Sequence, residues 1–480
     1  MRSCRIWLWG CFLGMAGIML QCAPSGRMSV LIHMIDAQEA YFSGELLPTF
    51  GKEKEYAMEV VHYEDVDSID AELERYEGEI ALVKVPFDKA WSLVSKGLIK
   101  PLGSVLTDKE LRDLHDTYLL TSLGGIEGKQ YYIPRKLETR IMVYRKSKVA
   151  EAIAAWGKHV EAIGEDLKKY NGYGLPASYV LEEDPNKWDF YDVFVVGWVW
   201  AHTSYDGETV GRVAHRGKRY SGTALRVIDR VYQCGGDSAD VLDMTGEAVV
   251  DAFHWEAVYA SAGIYNERMW KEAWSGVGVW RGFKDGGVFL SFMTQLDCFF
   301  IHGTGRDGLD GYLDDPDDMG VAVMPRGVSL ELDAEGNVVR RGVRAITTGG
   351  WWWGIPHDTP NPRASYELAR HITDMENQVQ GCSRFGMIPV RKEILNDISV
   401  LFGGGWITNV YDVSLKQLMN NKYTVLPYNP DFDDIRNLYL DAWFEIVAQG
   451  QGAAAEKIPD REHIKSILES KYAEAAKQYL

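Results

Sequence analysis

A chain of 480 residues, 46% hydrophobic and 25% charged, is long enough for several domains and apolar enough for large cores. Its formal charge of −18, from 51 basic against 69 acidic residues, argues against a basic face for phosphate backbones, so no nucleic-acid partner is expected. Aromatic residues reach 12%, which suits large cores and aromatic-lined binding sites alike, and only their positions separate the two.

Arg2 and Arg5 precede an apolar run over 6–20, with a polar exit at Cys22-Ala-Pro-Ser-Gly26. A positive flank, an apolar stretch of this length and a polar exit describe a secretory signal peptide over 1–21. The run is shorter than the ~20 residues that span a bilayer. Cys22 stands where a bacterial lipoprotein signal carries its lipidated cysteine, although Gln21 replaces the small residue of that pattern. The segment implies export to the periplasm or cell surface, either with a lipid anchor holding the protein to the membrane or by plain secretion.

Beyond it, 29–34 reads as a short buried strand and 36–50 as a helix with an apolar face. A second strand over 58–63, a helix over 68–76, a third strand over 80–85 and a helix over 88–96 follow. Alternating strands and helices of these lengths predict a parallel α/β sheet. The middle of the chain is richer in helix, with helical spacing over 150–170, 221–234 and 247–274, and a strand is expected over 321–325. The tail beyond about 414 reads mostly as helix. No disordered linker separates the strand–helix blocks, which implies interleaved lobes. Cys234, Cys298 and Cys382 lie too far apart for a local metal site, allow at most one disulfide, and read as inert buried thiols.

Four stretches carry a more specific signal. The first is Asp88-Lys-Ala-Trp-Ser-Leu-Val-Ser-Lys-Gly-Leu-Ile-Lys-Pro-Leu102. The second is Gly128-Lys-Gln-Tyr-Tyr-Ile-Pro134 followed by Met142-Val-Tyr-Arg-Lys146. The third is Thr347-Thr-Gly-Gly-Trp-Trp-Trp-Gly-Ile-Pro356 with Asn361-Pro-Arg-Ala364, and the fourth is Phe385-Gly-Met-Ile-Pro-Val-Arg-Lys392. Together, in this order, they resemble the extracellular solute-binding proteins of carbohydrate ABC importers, the group that includes maltose- and trehalose-binding proteins.

The resemblance implies an α/β, two-lobed periplasmic-binding-protein-like fold (type II), with a hinge crossed three times and a ligand cleft between the lobes. It places the crossings near 136–139, 348–353 and 386–389. One lobe would comprise 28–137 and 352–386, and the other 138–350 and 387–480. The implied function is to capture a mono- or oligosaccharide by lobe closure and deliver it to a membrane permease, as a monomer and without cofactor or catalytic residues.

A sugar site needs carboxylates or amides for ring hydroxyls and aromatic rings for C–H faces. The resemblance assigns ligand contact to Asp88, for which an N-cap is the competing reading, and to Glu138, which could instead pair with Lys136 or Arg140. Trp351, after Gly349-Gly350, is the expected stacking platform. Side chains alternate along a strand, so Trp351 and Trp353 are expected on one face and Trp352 on the other. Trp188 and Tyr191 are aromatic candidates from the second lobe, with hydrophobic core as the alternative. Gln295 and Asp297 follow the run Gly286-Gly-Val-Phe-Leu290, where the family carries a ligand-facing loop. Asp36 and Glu39 follow the first strand and read equally as a polar contact or a solvated helix start. The six aspartates between Asp307 and Asp318 lack the spacing of a calcium loop and read as a solvated turn.

Two other functions fit parts of this pattern. An exported carbohydrate hydrolase would use two carboxylates and aromatic platforms, although no GxSxG, HExxH, P-loop or strand-linked GxGxxG motif occurs. The same fold with a polyamine ligand would use Asp88 and Glu138 against the cation and Trp351 for a cation–π contact.

Overall fold

Strand β1 (Gly26–Ile32) is apolar from Met28 onwards except at Ser29, and it pairs in parallel with β2 (Tyr56–His62) and β3 (Ile80–Pro86). Every residue of β3 is buried, as in an inner strand of a sheet covered on both faces. A short hairpin, β4 (Gly125–Ile126) with β5 (Lys129–Gln130), leads into β6 (Tyr132–Glu138). Later come β7 (Arg140–Arg145), β8 (Val213–Ala214), β9 (Leu290–Thr294), β10 (Met319–Ala322) and β11 (Gly349–Gly354). This computed structural model describes residues 26–398, 405–421, 429–449 and 460–480; the expected signal peptide and Cys22 lie outside the described residues.

The strands form two main sheets. The first has the order β2-β1-β3-β11-β6, with β11 antiparallel to both neighbours. The second has the order β10-β7-β9-β8. Each anchors one lobe of the expected two-lobed α/β fold.

Most predicted elements form, with local shifts. The helix over 36–50 runs to Lys54 and contains a π-helical segment, Phe42–Leu46, between Asp36–Tyr41 and Leu47–Lys54. The helical pattern over 150–170 is two helices, Lys146–Ala155 and Val160–Asn171, split by a 3₁₀ turn at Trp156–Lys158. The pattern over 247–274 also breaks. Its helix Glu247–Ser261 stops before Gly263, whose φ of 67° is left-handed, and only Arg268–Lys271 resumes. The strand expected over 321–325 sits slightly earlier, as β10. Cys234, Cys298 and Cys382 are buried free thiols, and burial raises the thiol pKa of each.

The crossings lie side by side. Glu138 ends β6 and Arg140 begins β7, so the first crossing is Thr139 alone. Across from it, Gly349 pairs with Glu138 and Gly350 with Leu137, while on its other side Leu137 donates to the Ile388 carbonyl at 3.0 Å. The first sheet thus includes Glu138 and restarts at Gly349, just outside the expected 28–137 and 352–386. The chain after Ile388 also stays on the first lobe at first: Leu119 N–H donates to Val390 O, and the Lys392 ammonium to His115 O. The tail then reaches the second lobe. Helix Trp406–Asn421 packs on β7 and β10, and helix Phe432–Trp443 packs on helix Ser221–Gln233.

The tryptophan triplet keeps unbroken register against β3, so its rings alternate: Trp351 meets Lys84 and Trp353 meets Phe42, while Trp352 meets Phe87 and Tyr132. The register shift opposite Trp351 and Trp352 is an extra residue of β6, Arg135, and both later rings are buried because the sheet is covered on both faces. Trp352 stacks on Phe87 with centroids 4.2 Å apart, and Trp353 stacks on Phe42 at 5.9 Å. Only Trp351, at the strand's start, stays half-buried. Trp352→Ala is therefore expected to lower unfolding free energy by about 3–5 kcal/mol through a core cavity, read from denaturant melts. A loss below about 1 kcal/mol would show that the ring carries little packing.

Candidate functional site

Open α/β sheets gather ligands beyond the carboxyl ends of their strands, and a cavity of about 460 Å³ lies there, between the lobes. The first lobe contributes Lys84, Phe87 and Asp88 from β3 and the turn after it, Lys136 and Glu138 from β6, and Gly349, Gly350 and Trp351 from β11. The loops after β1 and β2 add His33, Glu64 and Asp65, and helix Asp36–Tyr41 adds Gln38. The second lobe contributes Arg140 from β7 and Thr294 from β9. It also lends Arg216, Lys218 and Tyr220 from the loop after β8, and the first residues of helix Ser221–Gln233.

Three of the nine expected ligand residues, Asp88, Glu138 and Trp351, line this cavity. Both carboxylates are already partnered. Glu138 accepts from Lys136 Nζ at 2.5 Å, which realises the ion-pair reading. Burial acts to raise its pKa, but the positive Lys136, Lys84 and Arg216 outweigh that and hold it below the usual carboxylate value. Asp88 caps no helix; it lies inside the 3₁₀ turn Phe87–Lys89 and accepts from Arg436 Nη1 at 2.7 Å. Trp351 carries the Lys84 ammonium 3.6 Å from its ring centroid.

The other six do not line the cavity. Trp188 and Tyr191 lie in the second lobe's core, where the Trp188 indole donates to Glu182 O and the Tyr191 hydroxyl to Leu330 O. Asp189 caps the apolar helix Phe190–Ala201 beside them, and this helix carries Tyr191 inward with its other side chains. Gln295 is a buried hinge clip: its Oε1 accepts from Thr139 N–H at 2.9 Å and its Nε2 donates to Gly386 O at 3.0 Å. Asp297 works from behind the wall, accepting from Arg216, the Trp280 indole and Thr294. Asp36 is exposed at its helix start, and Glu39 pairs with His62 at 2.8 Å. The aspartates 307–318 are more than a solvated turn, because Asp318 binds Arg145 and Ser147, and Asp307 binds Arg384.

Sequence reading missed the basic residues. Lys84, Lys136, Arg140, Arg216 and Lys218 all line the cavity. Arg140 is held by Asp229 and Thr347, and Arg216 by Asp297. Lys84 differs: it is 3% exposed, donates to His33 O at 2.5 Å, and has no carboxylate at ion-pairing distance among the described residues. Burial, and then Arg135 and Lys136, push its pKa well below the ordinary lysine value. The sequence did contain a signal, a lysine inside the otherwise apolar run Ile80-Ala-Leu-Val-Lys-Val85.

At the cavity's edge, helix Phe432–Trp443 reaches across to the first lobe. Arg436, fully buried, binds Asp88, Asp67 at 2.5 Å and Asp433 at 3.3 Å, while Lys89 binds Asp433 at 2.5 Å. A second bridge joins Arg384 to Glu45 and to Asp307.

The family model described as bacterial extracellular solute-binding protein matches residues 45–400. Solved structures with the same fold include maltose-bound MalE3 of T. maritima, at 14% identity and a TM-score of 0.67, covering 95% of this chain and 100% of that one. The GacH receptor of Streptomyces glaucescens GLA.O, solved unliganded and with acarbose, is 15% identical with a TM-score of 0.64, over 95% and 100%. Lmo0181 of Listeria monocytogenes, in complex with cycloalternan, is 11% identical with a TM-score of 0.66, over 94% and 99%. No curated protein matches the sequence significantly.

Removing Arg436 strands Asp88 in a buried site, and breaking a buried pair in this way costs about 3–5 kcal/mol. Opening the lobes rehydrates Asp88. Arg436→Met is thus expected to enlarge the radius of gyration of the ligand-free protein in small-angle scattering. An unchanged radius would mean that the cross-lobe cluster does not hold the lobes together.

Proposed function

Taking as premise that this chain belongs to the bacterial extracellular solute-binding proteins, we propose that it captures a carbohydrate between its lobes and delivers it to the permease of an ABC importer. One observation carries the reading: a half-buried tryptophan and a hinge carboxylate, Trp351 and Glu138, face one cavity walled by both lobes. A ring platform and fixed polar groups are what a sugar's C–H face and hydroxyls require. The ligands of the similar structures, maltose, acarbose and cycloalternan, are of the same class.

The alternatives receive less support. A glycosidase needs one carboxyl kept protonated as general acid, and Glu138 is held low while Asp88 is bound to Arg436. A polyamine would meet two neutralised carboxylates and a tryptophan face already bearing an ammonium. The protein acts outside the cytoplasm as a monomer, anchored through a lipid on Cys22.

Two measurements test this. Ligands that bind only the folded state raise stability by RT ln(1 + [L]/Kd), so a thermal-shift screen should find sugars that raise Tm. With a confirmed sugar, Trp351→Ala should weaken calorimetric affinity about 30-fold, as loss of a central aromatic anchor does. Unchanged affinity in a folded variant would remove the ring from the site. Separately, cells fed a clickable palmitate should label the protein, and a Cys22→Ser variant should not be labelled; unlabelled wild-type protein would eliminate the anchor.

A further inference from the structure

Lys84 presents a problem that a neutral ligand does not solve. A buried ammonium without a counter-charge is costly, and proteins ordinarily pair it or neutralise it. Of the other cavity cations, Lys136 has Glu138, Arg140 has Asp229 and Arg216 has Asp297, while Lys218 is exposed to water. Lys84 has only a carbonyl and the face of Trp351, yet it lines the cavity. The wall acids leave it without a partner of its own: Glu138 attracts it from beyond ion-pairing distance, but is bound to Lys136 and shared with Arg216. Glu64 is exposed, Asp65 accepts from Asp67 N–H at a turn, and Asp88 belongs to Arg436.

The facing wall points the same way. Helix Ser221–Gln233 opens onto the cavity with Ser221 and Gly222, and no side chain caps its N-terminus. The first amides of a helix have no intrahelical acceptors and carry partial positive charge, so they attract anions. Arg216 lies just before this helix, and its Nε is buried without a hydrogen-bond partner. Donors thus stand on both sides of one cavity: the Lys84 ammonium, with one carbonyl acceptor for its three N–H bonds, and the helix start beside Arg216.

We propose that the captured carbohydrate is acidic, bearing a carboxylate, phosphate or sulfate that supplies the counter-charge missing at Lys84. This rests on the carbohydrate reading above and narrows it. An anion at this position would also favour the charged form of Lys84, so binding and protonation of the lysine reinforce each other.

The test compares matched pairs on the wild-type protein by thermal shift and calorimetry. Glucuronate, galacturonate and glucose 6-phosphate are each set beside the neutral parent sugar, with acetate and inorganic phosphate as free anions. At least one acidic sugar should bind more tightly than its parent and than the free anions. Lys84→Met, which keeps the side chain's bulk, should weaken that sugar at least about 30-fold and lose the preference for acid over parent. Neutral parents that bind as tightly as the acids would overturn the acidic class and leave carbohydrate capture standing. Free anions as effective as acidic sugars would overturn it too, by making the site an anion site. Stabilisation by no sugar of either kind would overturn both readings. Because the comparison of ligands uses the wild-type protein, it decides the matter even if the variant folds poorly.

Discussion

The structure depends on a single residue's width of backbone at the hinge. Leu137 has Gly350 on one side and Ile388 on the other, and Gln295 ties Thr139 of the first crossing to Gly386 of the third. Gly386 has a left-handed φ of 69°, and an added Cβ would meet the Phe299 ring at 2.4 Å, so glycine alone fits there. Three strands stitched together in this way leave the lobes able to rotate about the seam but not to slide. The cavity is the consequence. Lys136, Glu138, Arg140, Gly349 and Trp351 reach it because each is within a few residues of the seam.

The same constraint shapes the electrostatics. Side chains at the seam are buried by both lobes, so charges there must find partners inside the protein. Glu138 takes Lys136, Arg140 takes Asp229, and Arg135, with sulfur neighbours Met34 and Met387, is pushed down to about 10 by burial. Residues that look like free ligand contacts in a sequence are therefore mostly internal ion pairs; Lys84 and Arg135 both lack one, and of the two Lys84 lines the cavity.

How far the sequence revealed this follows from distance along the chain. Strand–helix alternation and the four motifs are local, and they led to the right fold and to three cavity residues. Interactions over long separations were not visible. Nothing near Asp88 announces Arg436, which lies 348 residues away, and nothing near Asp297 announces Arg216. Trp188 and Tyr191 failed for another reason. Residues 190–201 are apolar on every side, which marks a buried helix rather than a cleft wall. For the tryptophan triplet, alternation gave the faces but not the burial, because a sheet covered on both sides buries Trp352 and Trp353 alike.

The cross-lobe cluster limits how binding can be coupled to closure. Arg436 and Lys89 face Asp67, Asp88 and Asp433, two cations against three carboxylates. Burial raises the Asp433 pKa, which Arg436 and Lys89 only partly offset, and Asp67 remains nearly half exposed. Such a cluster gains Coulomb energy but gives up hydration, and the two largely cancel. It therefore fixes how the lobes align when they meet more than how strongly they hold. That is a requirement of the fold's task, because lobes locked shut without ligand would admit none. A ligand shifts the equilibrium only by its preference for the closed form. That preference must arise from groups that closure brings to it from both sides, and on the acidic-sugar proposal these are the Lys84 floor on one lobe and the uncapped helix with Arg216 on the other.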